Sequence, residues 1–153
     1  MGRNYDGHLT ATPGAEPGVI YTQVDIETIV RQVQGHVEAC QYNQALQAIW
    51  QQVLDPTNRY ADRKEPWKLV KTDKEAAKQV LLDMVEQLRA ASILLKPFLP
   101  KTAETIYRSF NFTQPWEQVR FKDVYERPDQ REDVRVVATL EGGKVKPLFP
   151  RIA

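Results

Sequence analysis

Apolar residues recur at helical spacing through most of the chain. A first run starts beside Asp25, whose carboxylate is placed to cap the first turn of a helix. A second run has the same period, and we expect it to continue past Pro56 as a kinked helix to about Arg63, because proline distorts a helix without always ending it. The two predicted stripes are Ile26, Ile29, Val30, Val33 and Val37, and then Tyr42, Ala45, Leu46, Ile49, Trp50, Val53, Leu54 and Tyr60.

Two further helices are predicted after Pro66, which breaks the second run. The third starts near Thr72 or Asp73, with Thr72 as N-cap and Glu75 at the capping-box spacing, and Pro97 stops it. A shorter fourth helix begins at Pro100, since proline is tolerated in a first helical turn. The third stripe is Ala77, Leu81, Met84, Leu88, Ala91 and Leu95, widened by Val80, Val85 and Leu94; the fourth is Ile106, Tyr107 and Phe110.

Both ends of the chain lack this period. Residues 1–24 are interrupted by glycine and proline and are predicted to be irregular. Residues 134–146 alternate in polarity around Gly142-Gly143, which is compatible with a small β-hairpin or with a coil returning along the bundle. The predicted architecture is therefore a single all-α domain, a helical bundle over residues 25–153 with a partly irregular C-terminal tail.

Charge and composition narrow the possible functions. The 153 residues carry 21 basic and 20 acidic side chains, a net charge of +1, whereas domains that hold nucleic acid mainly by charge are strongly basic. Any RNA contact must then rely on stacking, shape and hydrogen bonds, as single-stranded loops allow. There is no membrane-length apolar run and no signal peptide, and Cys40 is the single cysteine, expected to be a small buried residue. A cytoplasmic, reducing location is expected.

Catalytic chemistry is not indicated by any motif. The only histidines, His8 and His36, are far apart in sequence, so no metal-ligand cluster is predicted. No phosphate-binding glycine loop and no nucleophile motif occurs. We expect no enzymatic activity and no cofactor in the chain by itself.

The segment from Asp55 to Lys68 holds the most informative side chain. Trp67 directly follows Pro66 at the end of a helical pattern, among charged and amide residues. An indole held there is a flat platform on which a nucleotide base can stack. The alternative interpretation is an ordinary core anchor at a turn between helices.

Four segments of the chain resemble the anticodon-binding domain of methionyl-tRNA synthetases. The run from Asn58 to Trp67 resembles that family's N-x-Y-x-D-x-x-x-P-W segment, and residues 94–104 resemble its LLxPFxPxTAE junction between two helices. Residues 146–152 resemble its PLFPRI tail, which closes against the catalytic domain, and residues 4–7 resemble the KYFDG end of a preceding helix. The resemblance spans nearly the whole chain, in order.

The resemblance implies a helical bundle that reads the CAU anticodon of methionine tRNAs. It assigns Trp67 to stack on the first anticodon base, cytosine, with Pro66 fixing the approach. It gives Asn58 a bond to a base edge or a turn backbone, although a helix cap is equally compatible with an amide there.

Charged residues around this segment also match family positions. Asp55 and Asp62 match acidic positions near the anticodon, where carboxylates would repel the phosphates of wrong tRNAs; simple helix-surface charge is the alternative. Arg59 and Arg63 are candidate contacts to the RNA backbone, and so are Lys64, Lys68 and Lys71. Arg151 matches an arginine of the tail, facing RNA or the catalytic domain.

The chain also departs from the family pattern. The HIGH and KMSKS motifs are absent, as is the upstream helix that carries the other anticodon-reading residues, an asparagine and an arginine. The chain is therefore interpreted as a piece of a class I synthetase whose catalytic domain binds ATP and methionine. One alternative is a structural bundle that binds no RNA and exposes apolar surface along Ile26–Val37 or Leu81–Leu95. Another is the anticodon domain of a related class I synthetase.

Overall fold

A computed structural model describes residues 5, 8–10, 23–126, 133–136, 140–141 and 144–145. Helices dominate this part of the chain, which confirms the predicted all-α bundle. The helices are α1 (Gln23–Glu38), α2 (Tyr42–Ile49), a π-helical segment (Trp50–Leu54), α3 (Asp55–Lys64), α4 (Pro66–Leu69), α5 (Lys74–Leu95), α6 (Pro100–Arg108), a 3₁₀ turn (Trp116–Gln118) and α7 (Asp123–Glu126). The strands are β1 (His8–Thr10), β2 (Asp133–Arg135), β3 (Leu140–Glu141) and β4 (Lys144–Val145).

The core lies where α1 and α2 pack along the C-terminal half of α5. Its fully buried side chains include Val33 from α1, Ile49 from α2 and Leu94 from α5. Burying each such aliphatic side chain contributes about 1.5–3 kcal/mol. The α2–α3 run is antiparallel to α5, because Tyr42 at its start meets Phe98 and Tyr60 near its end meets Asp83.

Pro56 is accommodated inside a continuous helical run from Tyr42 to Lys64, as predicted. Proline lacks an N–H and its ring collides with the carbonyl four residues earlier. The chain widens just before it into a π-helical segment, where the backbone N–H of Asp55 bonds the carbonyl of Trp50, five residues back. This wider turn gives the proline ring space, so the helix continues.

The predicted caps are displaced. Asp25 lies inside the first turn of α1, which begins at Gln23, and is therefore not at the N-cap position. Asp73, not Thr72, caps α5: its Oδ1 accepts the N–H of Ala76 at 2.9 Å. The Thr72 hydroxyl instead donates to the carbonyl of Leu69, because the chain is still turning out of α4 at that residue.

Four of the apolar residues assigned to core stripes are exposed instead: Tyr42, Leu46, Trp50 and Leu88. The part of the predicted stripe that does face the core is Ala45, Ile49 and Val53, and Ala48 is buried beside them. The structural-bundle alternative expected exposed apolar surface along Ile26–Val37, but Ile26, Ile29, Val30 and Val33 are buried, as the predicted stripe of this helix requires.

Cys40 is exposed, not buried as predicted. It has a left-handed backbone (φ 57°) in the turn after α1, where its N–H bonds the carbonyl of Val37 at 3.0 Å.

Short antiparallel strands complete the described structure. β1 pairs with β2, placing Leu9 opposite Val134, and both side chains are fully buried beside Val85. β1 therefore puts regular structure inside the segment predicted to be irregular. β3 pairs with β4, with Leu140 opposite Val145 and Glu141 opposite Lys144, so the hairpin alternative is confirmed for these four residues. None of the helices in the described ranges is long and apolar enough to cross a membrane.

Candidate nucleic-acid interface

The candidate site is built on the turn between α3 and α4. Helix α3 ends at Lys64, and Glu65 has left-handed backbone angles (φ 42°, ψ 57°). Its N–H still bonds the carbonyl of Ala61 at 2.9 Å. Pro66 disfavours helical angles at the residue before it and is suited to open the next helix, so the direction of the chain changes at Glu65.

Trp67 stands on a short, internally hydrogen-bonded helix. Pro66 is buried beneath it, while 54% of Trp67 is exposed. The N–H of Val70 bonds the carbonyl of Pro66 at 3.0 Å, and Lys68 forms an ion pair with Glu65 at 2.6 Å. The core-anchor interpretation of Trp67 is therefore wrong, because most of the indole lies outside the protein interior.

The polar candidates lie along α3. Asp55 is half-buried, and Asn58 and Asp62 are exposed at the three- and four-residue steps that share one helix face. Arg59 and Arg63 are exposed beside them. Within the described ranges, no hydrogen bond or ion pair occupies the side chains of Asn58, Asp62 or either arginine.

The helix-cap expectation for Asn58 is decided by its position in the fold. Asn58 does not cap a helix, since it lies within α3 and the N-cap position belongs to Leu54. Arg151 lies outside the described residues.

A buried polar contact that fixes α3 was missed from the sequence. The hydroxyl of Tyr60 donates to Asp83 Oδ2 at 2.6 Å, and Gln79 Nε2 donates to Asp83 Oδ1 at 3.1 Å. Burial, followed by the hydrogen bond and negative charge of Asp83, raises the pKa of Tyr60 well above its ordinary value. The sequence offers one signal for this contact: Asp83 places a carboxylate among the apolar residues of α5, three residues after Val80.

The chain is similar to known proteins along most of its length. A family model described as the anticodon binding domain of methionyl tRNA ligase matches residues 13–136. The chain belongs to this family. The resemblance of its motifs to methionyl-tRNA synthetases is thereby confirmed, and the alternative of a related class I synthetase is set aside.

Relatives of known identity and structure agree with the assignment to the anticodon-binding domain. Methionine–tRNA ligase of Bacillus subtilis is 29% identical over 99% of this chain, and that of Methanopyrus kandleri is 29% identical over 80%. The structure of Mycobacterium tuberculosis methionyl-tRNA synthetase in complex with methionyl-adenylate superposes with a TM-score of 0.76 over 97% of this chain at 25% identity.

The chain spans only part of these relatives. It covers 22% of the B. subtilis enzyme and 28% of the M. tuberculosis chain. A catalytic domain is not evident in the sequence.

Proposed function

We propose that this anticodon-binding domain recognises the CAU loop of methionine tRNAs, with Trp67 stacking on the first anticodon base. The exposure of Trp67 on a hydrogen-bonded turn carries the proposal. An indole face offers a sequence-tolerant surface to an unstacked base, and Pro66 holds its helix against the domain.

The polar face of α3 supplies the remaining contacts. Asn58 has free donors and an acceptor for a base edge. Arg59 and Arg63 offer unpaired guanidinium groups to the phosphates of the RNA. Asp55 and Asp62 repel the phosphates of wrong tRNAs. Because these charges nearly cancel, stacking and shape contribute more to recognition than bulk charge does.

The domain acts together with a catalytic domain in another part of its parent enzyme. That enzyme attaches methionine to its tRNA with ATP, and both small molecules bind to the catalytic domain. The match to the family's tail assigns Arg151 a contact with this domain or with the RNA. A cytoplasmic location follows from this role in translation.

Binding of an anticodon stem-loop RNA, followed by fluorescence anisotropy, tests the proposal. A base–aromatic stack is worth roughly 1–3 kcal/mol, so Trp67→Ala should weaken binding of the CAU loop by about 5-fold to 150-fold. Trp50→Ala is the matched control, because Trp50 is 59% exposed but lies at the start of the π-helical segment. It should leave the affinity unchanged.

Removal of the base at the first anticodon position completes the test. Because an indole stacks on any base, an abasic nucleotide in place of cytosine should weaken binding to the wild-type domain and have little further effect on Trp67→Ala. Equal affinity of the two proteins for the CAU loop would refute the role of Trp67. No binding to any loop would support the alternative, a structural bundle that packs against its catalytic domain without contacting RNA.

A further inference from the structure

A cleft of about 610 Å³ lies where the C-terminal ends of α1 and α5 meet residues 119–122. We name it the α1–α5 cleft. Its volume is within the roughly 300–1,000 Å³ of ligand sites, and it is open to solvent rather than enclosed. Half of its lining residues are apolar: Val37, Ile93, Pro97, Val119 and Phe121.

The cleft is separate from the proposed RNA site. Helix α4, which carries Trp67, lies just before the start of α5, whereas the cleft lies at the end of α5. Helix α5 has 22 residues, so it is about 33 Å long at 1.5 Å per residue. A ligand in the cleft would therefore not meet the anticodon loop.

The charges that line the cleft are mostly positive. They are the cations of Lys96, Arg120 and Lys122 and the carboxylate of Glu38, so three positive charges face one negative charge. Glu38 Oε1 already accepts an amide hydrogen bond from the preceding turn of its helix at 2.8 Å. Lys122 Nζ pairs with Glu126 at 3.1 Å. Two cations, Lys96 and Arg120, are therefore left to face a ligand.

Lys96 and Arg120 are held in place and keep unused donors. Lys96 Nζ donates to the carbonyls of Trp116 at 2.6 Å and Val119 at 3.0 Å, and Arg120 Nη1 donates to the carbonyl of Glu117 at 3.2 Å. An ammonium has three N–H donors and a guanidinium five, so both groups retain donors within the described part of the chain.

The two cations are also close enough to repel each other. Burial lowers the pKa of Lys96, and the positive charge of Arg120 lowers it further, while nearby carboxylates oppose this shift only in part. An anion placed between the two groups would relieve this repulsion.

We propose that the α1–α5 cleft binds an acidic peptide segment of a partner protein. A glutamate or aspartate side chain of the peptide lies between Lys96 and Arg120, and a neighbouring apolar side chain packs on the apolar lining. A carboxylate suits this pair because a guanidinium can donate two parallel hydrogen bonds to it.

The lining favours a peptide over RNA and over a small organic acid. An RNA backbone needs several cations for successive phosphates, but only two face this cleft, beside apolar walls and the carboxylate of Glu38. Sites for small molecules bury about 70–90% of their ligand, whereas this cleft is open. A peptide can place two side chains in an open cleft and continue past it.

A titration of the 153-residue chain with a defined peptide, followed by ¹H–¹⁵N NMR, tests the proposal. The probe is the peptide GSGLEFGSG, added to about 5 mM so that millimolar dissociation constants are measurable. It should shift the amide signals of residues at the cleft, such as Val37 and Phe121, and leave that of Trp67 unchanged. The neutral peptide GSGLQFGSG should bind at least about 10-fold more weakly, because a hydrogen bond to a charged group is lost.

Variants of the protein test the assigned cation. Arg120→Gln should weaken binding of GSGLEFGSG by about 10-fold. Arg59→Gln is the matched control, since Arg59 is also an exposed arginine but lies on α3, and it should leave peptide binding unaltered. Arg120→Glu should abolish binding of GSGLEFGSG and should bind the lysine peptide GSGLKFGSG more tightly than the wild-type chain does. The amide spectrum of each variant shows whether it is folded.

Four results would overturn the proposal. The first two are a lack of shifts at the cleft with GSGLEFGSG, and equal affinity of the wild-type chain and Arg120→Gln for it. The third is an oligouridine RNA that binds the cleft more tightly than the peptide. The fourth is N-acetylglutamate that binds as tightly as the peptide, which would assign the cleft to small organic acids. Because no anticodon loop enters these measurements, they are independent of the role proposed for Trp67.

Discussion

Replacing Tyr60 by phenylalanine removes one hydroxyl from the buried contact that joins α3 to α5. The ring of Tyr60 remains and fills the same space, since only 6% of the residue is exposed. What is lost is the 2.6 Å hydrogen bond to Asp83 Oδ2. Asp83 is itself only 7% exposed, and it keeps the amide of Gln79 as a donor to its other oxygen.

The expected destabilisation follows from the charge of the acceptor. Hydrogen bonds to charged groups contribute about 1.5–3 kcal/mol, and a buried carboxylate oxygen left without its donor retains the cost of dehydration. Tyr60→Phe should therefore lower the free energy of unfolding by about 1.5–3 kcal/mol. Urea unfolding followed by circular dichroism measures this loss as a lower midpoint at unchanged slope.

The same contact predicts a pH dependence. The pKa of Tyr60 is raised above its model-peptide value of 10.0, first by burial and then by Asp83. A raised folded-state pKa contributes stability that is fully present below pH 10 and is lost as the pH rises beyond it toward the folded-state value. The stability difference between the wild-type protein and Tyr60→Phe should thus be constant from neutral pH to pH 9 and shrink above pH 10.

Tyr107→Phe is the matched control. Tyr107 is 3% exposed, and its hydroxyl donates to a neutral acceptor, the carbonyl of Gln114, at 3.1 Å. Its loss should be about 0.5–1.5 kcal/mol. If Tyr60→Phe costs no more than Tyr107→Phe, or if its effect does not diminish in alkali, the charged contact is not what holds α3 in place.

Two further substitutions test other contacts by urea unfolding. Arg89 is 1% exposed and donates to the carbonyls of Asp123 and Val124, so Arg89→Ala should cost about 3–5 kcal/mol, while Arg108→Ala at an exposed ion-paired site should cost less than about 1 kcal/mol. A cost for Arg89→Ala as small as that of Arg108→Ala would contradict the buried contact. Asp73→Ala should cost about 1 kcal/mol through loss of the α5 cap, and a larger loss from Thr72→Ala would restore Thr72 as the cap.

Features set by local covalent geometry were predictable from the sequence. Pro66 ends one helical run and Pro100 opens another, because the effect of a proline ring reaches only its neighbours along the chain. The caps were less certain, since two adjacent side chains, Thr72 and Asp73, can both accept a backbone N–H. The structure distinguishes them by where the turn after α4 finishes.

Features set by tertiary packing were not predictable. The helical run from Tyr42 has two apolar rows of the same period, and only its packing against α1 and α5 decides that Ile49 is buried while Trp50 is exposed. The burial of Asp83 and Arg89 depends on partners 23 and 34 residues away in the sequence. Helical periodicity carries no information about such distances, so it cannot predict the burial of either residue.

The backbone at Glu65 explains how Trp67 is both exposed and fixed. A residue with a side chain pays about 1–2 kcal/mol to adopt left-handed angles, a cost that glycine would avoid. Glycine would also remove the ion pair with Lys68 and enlarge the conformational freedom of the turn. Glu65 therefore lowers the stability of the fold slightly, and it restricts the directions in which α4 can leave α3. For a platform that must meet an unstacked base, that narrower range reduces the ordering cost of binding.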